Sequence, residues 1–269
     1  MAASYLPCHP IARLDEPERR FAALVRRERK TRFAGGVFGP MWAYATPIAW
    51  IAVIVVSFNL LGRVAPLAVG AEIFVATGVL PYILFRQTIT SMMRSIIAHR
   101  YLLYFRPING NHLLAASACA ELINAVISSV LIFGAIAMIF GAPSPADMLI
   151  VYIAMFLAWA LGASAGALFS TIGQWSDSFA RTVPLLLRPM FWLSGIFYTG
   201  TELPAPALEL LAWNPLFHVI ELLREGFFLG YRSPIADIWY VCTVVFGLYI
   251  FSAIVGRFVH ETKRARYRI

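Results

Sequence analysis

Ionisable and hydrogen-bonding side chains recur at helical spacing inside stretches of this chain that are otherwise apolar. Ser117, Glu121, Asn124 and Ser128 fall at steps of four, three and four residues, which puts them on one helix face. Arg86, Thr90 and Arg94 repeat every four residues, with Gln87 and Ser91 beside them. Arg188, Phe191, Gly195 and Tyr198 follow at three, four and three. A charged group in hydrocarbon is costly, so each faces another helix, a partner charge or water. Two chemistries fit. Arg86 and Glu121 can pair between neighbouring helices as a structural contact. Alternatively the arginines line a route for an anionic solute. Arg188 with Phe191 and Tyr198 can hold acidic groups and stack on sugar rings, or can simply anchor a helix at the two interfaces. Trp42, Tyr44 and Trp50 do not share a face; Trp42 and Tyr44 suit an interfacial belt or a pore lining.

Other chemistry has no material here. A phosphate-binding G-x-x-x-x-G-K-[ST] loop needs a Gly before its Lys. The two lysines, Lys30 and Lys263, follow Arg29 and Thr262. No H-E-x-x-H or G-x-S-x-G occurs. The histidines (His9, His99, His112, His218, His260) are scattered, and Cys8, Cys119 and Cys242 match no metal spacing. Neither a catalytic constellation nor a metal site is expected.

The elements that must position these groups follow from composition. Of 269 residues, 60% are hydrophobic and 13% charged, and the mean hydropathy is +0.72. Soluble domains carry about 25% charged residues. An all-α integral membrane protein is expected. The net charge of +8 is membrane topology rather than nucleic-acid binding, because the basic residues flank apolar runs. No cleavable leader is visible before residue 41.

Residues 17–32 read as an amphipathic helix. Pro17 suits its first position, and Phe21, Leu24 and Val25 make an apolar face against Arg19, Arg20, Arg26, Arg27 and Lys30. Such a helix lies in the headgroup plane. Six transmembrane helices are expected over 41–61, 73–97, 113–140, 148–172, 183–198 and 235–259. The segment 200–234 holds two shorter apolar pieces, 205–213 and 216–229, broken at Asn214-Pro215. A re-entrant helical hairpin on the periplasmic side fits it. With both termini cytoplasmic, 18 basic residues lie inside and three, Arg63, Arg224 and Arg232, outside. Gly162-x-x-x-Gly166, with Gly173 a heptad later, marks close helix packing. The expected organisation is 1–32, tail and interfacial helix; 33–260, transmembrane domain; and 261–269, basic cytoplasmic tail.

This order resembles the membrane subunit of ABC-2 type exporters. Phe38-Gly39-Pro40-Met41-Trp42 followed by Pro47 is similar to the family's entry into its first span. Asn214-Pro215-Leu216 followed by Glu221 and Arg224 resembles the segment before its last span. Asp177 and Arg181 ahead of Pro184 sit where the family often has an acidic and a basic residue in a cytoplasmic turn. Within the family the chain looks most like capsular polysaccharide export permeases, and it is similar also to O-antigen and teichoic acid exporters. The resemblance implies a pore of two copies in the bacterial inner membrane. It implies two separate ATPase subunits, which hold ATP and Mg, and possible periplasmic and outer-membrane export components. The cargo would be an acidic, lipid-linked polymer. It would pass Trp42, Tyr44, Arg86, Arg94, Arg188, Phe191 and Tyr198. Tyr101, Tyr104, Phe105 and Arg106 in the 99–112 connection would dock the ATPase. Other readings are an ABC-2 exporter of a drug or lipid, a membrane-embedded transferase or an ion-coupled carrier. The last two lack, respectively, a catalytic constellation and an internal repeat.

Overall fold

A computed structural model of the chain describes residues 17–32, 39–98 and 110–266. Among these residues it has nine α-helices and no strand. They are α1 (Pro17–Arg32), α2 (Gly39–Leu60), α3 (Ala71–Ala98), α4 (Gly110–Phe140), α5 (Met148–Gly173), α6 (Asp177–Leu193), α7 (Ala205–Leu211), α8 (Pro215–Phe227) and α9 (Ile238–Arg266).

α3 is the axis of the bundle. It touches α2, α4, α5, α6 and α8, and it is buried along most of its length. α5 crosses it most intimately, and the reason is Gly162-x-x-x-Gly166. A Cβ on Gly162 would stand 2.8 Å from the Phe85 carbonyl oxygen, and one on Gly166 would stand 3.2 Å from the Ile89 Cα. Small residues at these positions let the two backbones approach. α8 packs on α3, α5 and α9, with Leu216, Phe217, Val219, Ile220 and Leu223 fully enclosed. α4 and α9 keep broad apolar faces exposed, including Val130, Leu131, Phe246 and Phe251. α1 packs against α4.

Four helices are long and apolar enough to cross a membrane: Ala71–Ile96, Gly110–Phe140, Met148–Gly173 and Ile238–Phe258. Two of the six expected spans differ. In α2 the apolar stretch Tyr44–Leu60 is shorter. The expected span 183–198 is displaced toward the amino terminus, because α6 starts at Asp177 and stops at Leu193. Its 17 residues rise about 25 Å, short of about 30 Å of hydrocarbon. Ser176 caps its start by accepting from the Phe179 N–H. Its end is set by Ser194, whose hydroxyl donates back to the Met190 carbonyl. Gly195 then turns the chain at φ 77°, a left-handed conformation that suits Gly. α9 starts at Ile238, capped by Asp237 accepting from the Trp239 and Tyr240 N–H groups. It runs on to Arg266, so the segment from 261 is largely helical.

The segment before α9 follows the expected break. α7 and α8 are separated at Asn214, whose side-chain oxygen accepts from the Leu216 N–H at 3.0 Å. Its amide donates to the Leu193 carbonyl and Ser194 hydroxyl at 3.0 and 3.2 Å. One side chain therefore starts α8 and ties it to the end of α6.

Candidate functional site: two arginine–aromatic clusters

The polar stripe of α4 turns inward. Ser117, Glu121, Asn124 and Ser128 are all buried, on the side that packs against α3. The Ser117 hydroxyl donates to the Leu113 carbonyl, 3.0 Å, and that of Ser128 to the Asn124 carbonyl, 2.8 Å. The stripe's hydroxyls thus bond largely to their own helix, which is the cheapest way to keep them in hydrocarbon.

The first arginine cluster gathers around Tyr82. The Tyr82 hydroxyl donates to the Leu187 carbonyl of α6 at 3.0 Å. Arg86, one turn along α3, holds its guanidinium 6.0 Å from the Tyr82 ring centroid. Arg188 directly follows Leu187, whose carbonyl accepts from Tyr82. Phe191 is buried between Trp50 of α2, centroids 5.1 Å apart, and Tyr82, 5.0 Å, with Phe197 at 5.4 Å. Trp192 stacks on Phe197 at 4.8 Å and is 64% exposed. Arg188 is exposed beside them. Three helices thus bring two cations and a set of rings together along one surface. Among the described residues neither Arg86 nor Arg188 has a carboxylate at ion-pair distance.

Arg86 and Phe191 thus both lie beside Tyr82, with Arg188 exposed on α6 three residues before Phe191. The other expected residues stand elsewhere. Arg94 is two turns further along α3, exposed, with Nε donating to the Thr90 carbonyl at 3.3 Å. Tyr44 is half-buried on α2. Trp42 belongs to α2, and its side chain is outside the description. Tyr198 does not continue the α6 face, because the helix has ended: its hydroxyl donates to the Trp192 carbonyl at 3.0 Å and its ring packs edge-on against Phe217. Tyr101, Tyr104, Phe105 and Arg106 lie outside the described residues. Tyr82, Trp192 and Phe197 are additions. The signal for Trp192 was its place next to Phe191, and for Tyr82 its place one turn before Arg86.

The second cluster is closed. Arg224 and Glu221, three residues apart on α8, form an ion pair at 3.1 Å with neither side chain exposed. Arg224 also donates to the Tyr198 carbonyl at 2.7 Å and the Ile196 carbonyl at 3.3 Å. Its guanidinium carbon lies 4.1 Å from the Phe74 ring centroid of α3. The other Glu221 oxygen accepts from the Tyr231 hydroxyl, 2.6 Å, the Ser233 hydroxyl, 2.7 Å, and the Gly200 N–H, 3.2 Å. Burial, and then the Glu221 charge, push the Tyr231 phenol well above its ordinary pKa, so it stays a donor. Arg63 adds a further tie, donating to the Phe197 carbonyl at 2.8 Å. The spacing of Glu221 and Arg224 allowed this pair. What the residue types could not show is that two separate loops, between α6 and α7 and between α8 and α9, supply its hydrogen bonds.

The family model for ABC-2 type transporters matches residues 19–228. That interval covers the first cluster and, of the second, all but Tyr231 and Ser233. The chain belongs to the ABC-2 type transporter family. Its curated relatives include the polysialic acid transport protein KpsM of Escherichia coli, 26% identical over 216 residues, covering 78% of this chain and 82% of the relative. The capsule polysaccharide export inner-membrane protein CtrC of Neisseria meningitidis serogroup A is 25% identical over 243 residues, 90% of this chain and 91% of the relative. The O-antigen export system permease protein RfbA of Klebsiella pneumoniae is 24% identical over 249 residues, 87% and 92%. As an ABC-2 transporter the chain is a multi-pass membrane protein of transport. Within this family setting the open Tyr82 cluster is the candidate solute contact, and the closed Glu221–Arg224 cluster is the brace.

Proposed function

We propose that this ABC-2 transporter chain is the permease subunit of an exporter that carries a capsular polysaccharide across the bacterial inner membrane. The observation that carries the reading is the match to capsule polysaccharide export proteins over most of their own length. Two copies would form the pore and two separate ATPase subunits, with ATP and Mg, would drive it. α2, α3, α4, α5, α6 and α9 would make six crossings, with the short α6 completed by interfacial residues. α7 and α8 would enter from the periplasmic side as a hairpin, and α1 would lie along the cytoplasmic interface, both termini being cytoplasmic. Tyr101, Tyr104, Phe105 and Arg106 would receive the push of the ATPase.

Arg86, Arg188, Trp192 and Phe191 suit an acidic, lipid-linked sugar polymer. Guanidinium groups hold carboxylates or phosphates in a planar fork, and exposed rings stack on sugar faces. Trp42, Tyr44 and Arg94 would extend that route, and Tyr198 would mark its outer end. The second reading, O-antigen export, is favoured by the similarity to RfbA.

The test is co-purification followed by export. The tagged chain, expressed with its neighbouring genes, should bring down an ATPase, and Tyr104→Ala with Phe105→Ala should weaken that capture. Arg188→Ala should then lower surface polymer roughly 10- to 100-fold while leaving the complex whole. Recovery of the chain with no ATPase would overturn the exporter reading. Normal surface polymer in Arg188→Ala would overturn the route.

A further inference from the structure

α2 and α4 barely meet across α3, and a small cleft remains between the three helices. Pro47 of α2, Leu80, Ile83, Leu84 and Gln87 of α3, and Asn124, Ala125, Ser128 and Ser129 of α4 line it, enclosing about 20 Å³. Asn124 is 6% exposed, yet neither its amide nitrogen nor its amide oxygen has a hydrogen-bond partner among the described residues, and the Ser129 hydroxyl has none. An amide can donate twice and accept twice. Leaving it unpaired inside a membrane protein is strongly unfavourable. The Ser128 hydroxyl donates to the Asn124 backbone carbonyl and is not a partner of the Asn124 amide.

We infer that this cleft is a binding site for one ordered water molecule, which accepts from or donates to the Asn124 amide and the Ser129 hydroxyl. The size fits: a site of about 10–15 Å³ or more holds a water, and such a water makes two to four hydrogen bonds. A sugar ring or a lipid headgroup is far too large. The lining fits as well, since purely apolar cavities stay dry and this one presents an amide and two hydroxyls, with the Gln87 amide at its wall. Pro47 adds to the case. Lacking an N–H, it leaves the Ala43 carbonyl without its usual helical bond, and water commonly compensates such breaks in membrane helices. The site is independent of the cargo and of the ATPase.

The sign of a stability change tests it. The assembled complex in lipid nanodiscs would be heated as wild type, Asn124→Leu, Ser129→Ala and the double variant. With a shared water, each single variant strips it of a partner and the unfolding midpoint falls by about 2–4 °C. The double variant then falls by less than the sum of the two. If the cleft is dry, each change removes an unpaired polar atom and the midpoint rises, which overturns the site. Additive losses overturn it too, because groups sharing no partner do not couple. Should Asn124→Leu fail to assemble, the direction of Ser129→Ala decides alone. A density map of the same complex separates the remaining occupants. An isolated peak within about 3 Å of both side chains is expected. A lipid group or a side chain from a second copy in that place refutes the water.

Discussion

The two arginine clusters use the same materials and reach opposite ends. Around Arg224 every part is enclosed: a carboxylate, two carbonyls and the Phe74 ring surround the guanidinium. Around Tyr82 the arginines stand beside rings, Arg188 and Trp192 reach the surface, and no carboxylate among the described residues completes them. The difference teaches how to separate brace from binding site. A buried ion pair, with neither side chain exposed and its hydrogen bonds supplied by two loops, is closed to a solute. Cations without a carboxylate on an aromatic surface keep theirs.

Breaking the closed cluster should have the largest effect. Removing one partner of a buried ion pair costs about 3–5 kcal/mol, because the other charge is left stranded. Glu221→Leu and Arg224→Leu should each prevent assembly of a stable complex, read as loss of the monodisperse peak in detergent. The double variant should regain part of it. A single variant as stable as wild type would erase the contrast between the clusters.

The open cluster should respond in function and not in folding. Arg188→Ala removes one charge-assisted contact, worth about 1.5–3 kcal/mol, so export should fall roughly 10- to 100-fold with the unfolding midpoint unchanged. Loss of stability equal to that of Glu221→Leu would make Arg188 another brace. Trp192→Ala should have a smaller effect, roughly 2- to 10-fold on export, the range of one aromatic contact. Trp192→Phe should restore most of it, and full export by the alanine variant would remove Trp192 from the route.

The smallest effect concerns pH. The Tyr231 phenol is raised above its ordinary value of 10.0. Its stabilising contribution is therefore fully present below about pH 10 and is lost as pH rises through the elevated value. The stability gap between wild type and Tyr231→Phe should be constant from pH 6 to about pH 9. A gap that closes within that window would mean that the phenol titrates as an exposed one, and that the cluster is open.

Much of this was legible in the residues. The α4 stripe announced its inward face through its spacing, Gly162-x-x-x-Gly166 announced the α3–α5 contact, and Asn214-Pro215 announced the break before α8. These are local signals, and helical period, a small side chain or a cap acts within one or two turns. The end of α6 was less legible. Apolar residues continue past Leu193, so hydropathy extends the span, while Gly195 ends the helix through a backbone conformation that depends on Phe217 packed against it: a Cβ there would lie 2.4 Å from that ring.

The sequence alone determined the all-helical membrane class, the family order of elements and which side chains were too polar for lipid. Composition and period are properties of the chain, and the bilayer reads them directly. Only the tertiary structure decided what each polar group does. Glu221 and Arg224 could pair on any helix, but their burial depends on Tyr198, Gly200, Tyr231 and Ser233 arriving from loops before and after α8. Arg86 and Arg188, a hundred residues apart, share one surface because the Tyr82 hydroxyl ties α3 to α6. Satisfaction of a charge is a property of its surroundings, and those are assembled only when the helices pack.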